Sequence, residues 1–142
     1  MSGGLNEEKT VATYPTEYRY TKEHEWIKLA GAQGVVGITH HAQEKLGDIV
    51  FVELPPVGRK LAAMESFGTV ESVKAVSDIY CPVGGTVAEV NAQLAEKPEL
   101  LNQDPHGAAW LIKLTLDHPQ EVDALLTAQQ YEQFIAAEDS AV

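Results

Sequence analysis

Between Tyr18 and Leu116 the chain runs as short apolar–polar alternations cut by glycine and proline, a texture of strands rather than long helices. Glu25-Trp26-Ile27-Lys28-Leu29 alternates, Gly31 to Gly34 reads as a turn, and Val35-Val36-Gly37-Ile38 as the returning strand. Thr39 stands where a helix cap belongs, ahead of His40 to Leu46, and Gly47 supplies the stop. Asp48 to Leu54 is apolar at both parities, which predicts a strand buried on both faces. Pro55-Pro56 ends it, because proline has no N–H to give a ladder. Further strands are predicted over 67–73, 76–80, 86–90 and 110–116. Asn91 opens a helical stretch that Pro98 interrupts, and Pro119 to Ala137 reads as two helical pieces. In the second, Thr127 and Gln130 make a capping box, and Tyr131, Phe134 and Ile135 form an apolar stripe that should lie on the sheet. The first 17 residues are polar and aperiodic and read as a loose leader. Residues 18–137 form one mainly β domain with peripheral helices, and 138–142 a tail.

The segment Glu71 to Asp78 is a mirror image of itself. Folded about Lys74-Ala75, Val73 meets Val76, Ser72 meets Ser77, Glu71 meets Asp78 and Val70 meets Ile79, so like residues share a face of a two-stranded ribbon. This predicts a hairpin with Lys74-Ala75 at its tip. Two local rules break there. The tip lacks the Gly or Asn that tight hairpins prefer, and Glu71 against Asp78 sets like charges across the ribbon. A lysine at a loop tip is by default a solvated lysine, but local rules that fail together mark functional sites. A lysine on a rigid ribbon suits covalent attachment of a prosthetic group, since its four methylenes let the group sweep between partners at high effective concentration. Such a carrier needs no catalytic residue of its own.

Composition narrows the partners. Ten Lys and Arg stand against 21 Asp and Glu in 142 residues, a net charge of -11. That balance opposes nucleic acid and anionic lipid and favours docking onto basic protein surfaces. No apolar run approaches the roughly 20 residues of a membrane helix. Residues 1–10 carry neither an apolar signal core nor the acid-poor character of a transit peptide, which points to the bacterial cytoplasm or to the mature form of a mitochondrial protein. The one cysteine, Cys81, excludes a disulfide framework and reads as a buried small hydrophobe. Trp26 and Trp110 read as core or interface residues. Phosphate-loop and nucleophile-elbow motifs are missing. His24-Glu25 is followed by Lys28 where a zinc-protease helix needs a second histidine, and His40 and His41 diverge on a helix. No metal site is therefore expected.

The run Val70-Glu71-Ser72-Val73-Lys74-Ala75-Val76-Ser77-Asp78 resembles the lipoyl-attachment motif of the glycine cleavage H-protein family. Further blocks match in order: Tyr20 to Trp26, Val36 to Thr39, Ala42 to Asp48, Val50 to Pro55, Asn102 to Pro105 and Gly107 to Lys113. Together they span about Tyr18 to Ala137. The resemblance implies a lipoyl/biotinyl-type flattened β-barrel, or barrel-sandwich, with short C-terminal helices and lipoate in amide linkage to Lys74. It implies a shuttle rather than an enzyme. A pyridoxal-phosphate glycine decarboxylase loads an aminomethyl group, a tetrahydrofolate-dependent aminomethyltransferase unloads it, and the flavin enzyme dihydrolipoamide dehydrogenase reoxidises the carrier with NAD. A lipoate ligase or lipoyl/octanoyl transferase would attach the cofactor. The loaded arm is expected to fold back into a cleft, with Glu25 and Asp78 as its polar lining. His40-His41 and Cys81 depart from the family's usual residues without touching the attachment motif.

Two other classes compete. One is a different carrier: a biotinyl domain, a dehydrogenase lipoyl domain or a relay donating lipoate to other enzymes. A biotin acceptor would have methionines beside the lysine, where this chain has Val73 and Ala75. The other is an unmodified acidic adaptor. The cofactor found on Lys74, if any, separates them.

Overall fold

The computed structural model describes residues 13–140. In chain order the strands are β1 (Tyr18–Tyr20), β2 (Glu25–Ala30), β3 (Gln33–Ile38), β4 (Ile49–Glu53), β5 (Lys60–Leu61), β6 (Ser66–Ser72), β7 (Val76–Tyr80), β8 (Gly85–Val90) and β9 (Ile112–Leu116). The helices are α1 (His40–Leu46), α2 (Gln93–Glu96), α3 (Leu100–Gln103) and α4 (Ala128–Ser140), with a 3-10 turn over Pro119–Ala124. One sheet has six strands in the order β1-β2-β3-β9-β8-β5, and the other has three in the order β4-β6-β7. Ile27, Val36, Val87 and Leu114 of the large sheet and Val52, Val70 and Ile79 of the small one belong to one buried cluster, the filling of the flattened barrel-sandwich.

Alternation along β2 gives the large sheet a second core. Ile27 faces the small sheet, while its neighbour Trp26 points the other way, into an aromatic cluster with Tyr14, Tyr18, Tyr20 and Tyr131. Gly37 pairs with Trp26 across β2 and β3, and a Cβ there would lie 2.5 Å from the indole, so the ring needs a glycine beneath it. Trp26 Nε1 donates to the Pro105 carbonyl at 3.0 Å, and Tyr131 of α4 stacks on Tyr20 with ring centroids 4.9 Å apart. The apolar stripe of α4 thus lies on the sheet.

The caps form where the residue types require them. Thr39 Oγ1 accepts the Ala42 N–H at 3.1 Å, and Gly47 ends α1 at φ 81°. Thr127 and Gln130 close a reciprocal box: the Gln130 N–H donates to Thr127 Oγ1 at 3.2 Å, and the Thr127 N–H donates to Gln130 Oε1 at 3.0 Å. Three expectations change. β4 is not buried on both faces: a register irregularity between Ile49 and Phe51 turns Val50 and Phe51 to solvent at 50% and 54% exposure. The leader does not extend to residue 17, because Tyr14 is buried against Tyr20, Tyr131 and His106. Residues 1–12 of that leader, and 141–142 of the tail, lie outside the described residues. Glu138 to Ser140 are the last turn of α4.

Candidate functional site: the Lys74 hairpin

Lys74 is exposed at the apex of the β6–β7 hairpin, but the register differs from the mirror pairing. Glu71 faces Val76, Val70 faces Ser77, and Thr69 faces Asp78, a shift of two residues. A two-residue shift keeps every side chain on its expected face and moves the tip to Val73-Lys74. It also removes the like-charge pair, leaving Glu71 and Asp78 diagonal on the outward face.

Ser72 explains how the hairpin turns without glycine. Its N–H donates to the Ala75 carbonyl at 2.7 Å, and its Oγ accepts the Ala75 N–H at 3.1 Å and the Lys74 N–H at 3.3 Å. The hydroxyl takes over donors that would otherwise need a left-handed turn. Among the described residues, the non-glycines at positive φ are His24 and Met64, neither of them in this tip.

The tip is braced from below. The Val73 N–H donates to the Asp48 carbonyl at 3.0 Å, and a Cβ on Gly47 would stand 3.5 Å from Lys74 Cε, so the lysine stem crosses the end of α1. Asn102 fastens that end: its Nδ2 donates to the Gly47 carbonyl at 2.9 Å and to Gln43 Oε1 at 3.0 Å, while its Oδ1 accepts the Ile49 N–H at 2.9 Å. Among the described residues no carboxylate pairs with the Lys74 amine. Around it Val50, Phe51, Val73 and Val76 stand exposed, interleaved with Glu71 and Asp78.

Glu25 and Asp78 are placed very differently. Asp78 is exposed on β7, opposite Thr69. Glu25 is 1% exposed and ties the two sheets together: its Oε2 accepts the Tyr80 N–H at 3.0 Å, and its Oε1 accepts the Thr21 hydroxyl at 2.5 Å. Burial raises its carboxyl to about 7 against the lowering pull of Thr21 and the Tyr80 N–H. Tyr80 connects the two positions, because it shares a side of β7 with Asp78. With Glu23 and Met64 it lines a recess of about 180 Å3. Glu23 and Met64 also border a second recess of about 270 Å3, lined by Tyr20, Thr21 and Leu126 among others. Glu25 thus supports this groove from behind. Met64, at φ 65°, forms its rim, with its N–H fixed to the Cys81 carbonyl at 2.6 Å. Cys81 itself is buried, its thiol pushed up to about 12 by desolvation and donating to the Val83 carbonyl at 3.1 Å. It is no nucleophile.

Ser72 and the Glu23–Met64–Tyr80 groove are the features of the candidate site that sequence reasoning missed. The signal for Ser72 was available, since a serine two residues before a tip is a hydrogen-bonding turn residue. The groove had none, because its walls come from three separate parts of the chain.

The family model for the Glycine cleavage H-protein matches residues 18–138. A glycine cleavage system H protein of Symbiobacterium thermophilum is 56% identical over 124 residues, covering 87% of this chain and 97% of the relative. One of Carboxydothermus hydrogenoformans is 49% identical over 128 residues, covering 90% and 98%. The crystal structure of a glycine cleavage system H protein from Mycobacterium marinum superposes with a TM-score of 0.80 at 41% identity, covering 87% of this chain and 99% of that one. With an exposed lysine at the apex of the matching hairpin, the chain belongs to the glycine cleavage H-protein family, a component of the glycine cleavage system.

Proposed function

We propose that this chain is the lipoyl-bearing shuttle of the glycine cleavage system, acylated on Lys74. It carries an aminomethyl group from glycine decarboxylase to the aminomethyltransferase and is then reoxidised by dihydrolipoamide dehydrogenase. The observation that carries this reading is the solvent-exposed Lys74 amine, with no carboxylate partner among the described residues, on a tip held by Ser72 and Asp48. A ligase or transferase needs such an amine: accessible, and fixed in place by the backbone beneath it. Lipoate on Lys74 would supply a dithiolane that accepts the aminomethyl group with two electrons, yields the one-carbon group to the aminomethyltransferase as a dithiol, and returns the electrons separately to dihydrolipoamide dehydrogenase.

The residues around the lysine fit that group. Asp78 is the third residue of β7, four residues on from Lys74 across the turn, so at most about 13 Å of chain separates them. A lysine extended by an eight-carbon acyl chain spans roughly 14 Å, enough to reach Asp78 and the near rim of the Tyr80 groove. Asp78 and Glu23 offer carboxylates to a cationic amine there, and Glu25 holds Tyr80 and Thr21 in position while adding negative potential from behind. The exposed Val50, Phe51, Val73 and Val76 give partner enzymes and the attaching enzyme an apolar landing around the tip, with Glu71 and Asp78 for basic side chains. Since the relatives are bacterial, the bacterial cytoplasm is the compartment we propose.

Lys74→Arg is the test. Its charge survives at an exposed tip, so the melting temperature should stay within about 1 °C of wild type. Incorporation of lipoate by a ligase should vanish, and with it glycine-dependent turnover in a mixture containing the three partner enzymes. Substantial turnover by this variant would refute the assignment.

A further inference from the structure

His24, His41 and Glu138 come from three distant elements, the β1–β2 turn, the first turn of α1 and the last turn of α4, yet their donor atoms converge. His24 Nε2 lies 3.2 Å and His41 Nε2 3.3 Å from the same Glu138 Oε1, and all three donors fall within 4.8 Å of one another. A tetrahedral ion with bonds of about 2.0–2.1 Å spaces its ligands about 3.3 Å apart.

Two further observations set this cluster apart from a chance ion pair. The His24 backbone is left-handed, at φ 74°, a conformation that few non-glycine residues adopt. And the ring is oriented from behind: His24 Nδ1 lies 2.8 Å from the Tyr131 hydroxyl, which is 2.7 Å from Thr39 Oγ1. A ring nitrogen held by a hydroxyl chain while the other faces a carboxylate is the support that metal-binding histidines receive. His41 is itself buried, and its ring lies 4.7 Å from that of His24. His40, next in sequence, turns away toward Glu44, at 3.9 Å.

We propose that His24, His41 and Glu138 bind one divalent transition-metal ion of the zinc class. Two imidazoles and one carboxylate favour zinc over magnesium or calcium, which prefer all-oxygen sets. The half-exposed Glu138 side leaves a fourth position open to water. Bound there, the ion fastens α4 to the sheet and to α1, the helix whose far end carries the Lys74 stem.

The test uses untagged full-length protein, Zn2+ in competition with a chromophoric chelator, and Co2+ as a spectroscopic stand-in. One equivalent of Zn2+ should bind, Co2+ should give visible d–d bands, and excess Zn2+ should raise the melting temperature by about 5 °C or more over protein in EDTA. Glu138→Gln, at an exposed helix position, should lower affinity at least about tenfold and abolish the thermal shift. Tyr131→Phe keeps every ligand but releases the His24 ring, and should weaken binding by about tenfold. His24→Asn, which tolerates the left-handed backbone, should behave like Glu138→Gln. His40→Gln should bind as wild type. No competition with the chelator, or wild-type affinity in both Glu138→Gln and His24→Asn, would overturn the proposal and leave the three groups an ion-pair cluster.

Discussion

Burial shifts the ionisation of both Glu25, up to about 7, and His106, down to about 4, and each makes a prediction. For Glu25, Glu25→Gln keeps an acceptor for the Tyr80 N–H and removes the charge behind the groove. It should leave lipoylation unchanged and hasten loss of the aminomethyl group from loaded, isolated protein by about tenfold, equivalent to losing about 1.4 kcal/mol of stabilising negative potential. Formaldehyde and ammonia released over time give the rate, and an unaltered rate would remove Glu25 from this role. For His106, desolvation first and the nearby His40 second lower the pKa from 6.5 to about 4, while Nε2 accepts the His40 N–H at 3.0 Å. The unfolded chain therefore takes up a proton that the fold refuses as pH falls below 6.5. Stability drawn from the neutral ring is complete above 6.5 and is lost progressively down to about 4. Calorimetry of His106→Gln against wild type should show a shallower fall in melting temperature between these limits. Parallel curves would contradict it.

At the scale of elements, the β6–β7 hairpin depends on a side chain to make its turn. Ser72→Ala strips the acceptor from the Lys74 and Ala75 N–H groups, which costs about 1 kcal/mol at a tip where water can replace the bond. Amide exchange at Lys74 and Ala75 should accelerate, and the ligase should lipoylate the variant more slowly because the amine is less firmly presented. Unchanged exchange at both amides would mean that Ser72 does not shape the tip. The same hairpin shows how far pattern reasoning reaches. The alternation of Val70 to Ile79 fixed the faces, and they are as expected, because a two-residue slip preserves parity. It could not fix the register, which is decided by where Ser72 closes the turn. β4 differs for a similar reason: apolar residues at both parities suggested two buried faces, but the irregularity at Val50 turns Val50 and Phe51 outside.

Across the whole molecule, what was legible was local. Thr39 and Gly47 around α1, Thr127 with Gln130 at α4, Pro55-Pro56 after β4 and the lysine at the hairpin apex each depend on neighbours in the chain. What was illegible is assembled by packing. Tyr14 joins the fold through rings at Tyr20, His106 and Tyr131. The groove at Tyr80 and the His24–His41–Glu138 cluster draw on segments far apart in sequence, so no spacing announces them. One consequence is a division of labour along α1: its first turn meets α4 through His41, and its end at Gly47 carries the stem of Lys74.

The central claim is that the ε-amino group of Lys74 is acylated by lipoate. Peptide mass spectrometry of protein purified from lipoate-replete cells that contain the attaching enzyme tests it directly. The peptide holding Lys74 should carry the mass of one lipoyl group, with no other lysine so modified. An unmodified Lys74 under those conditions, or a biotinyl group in its place, would contradict the account.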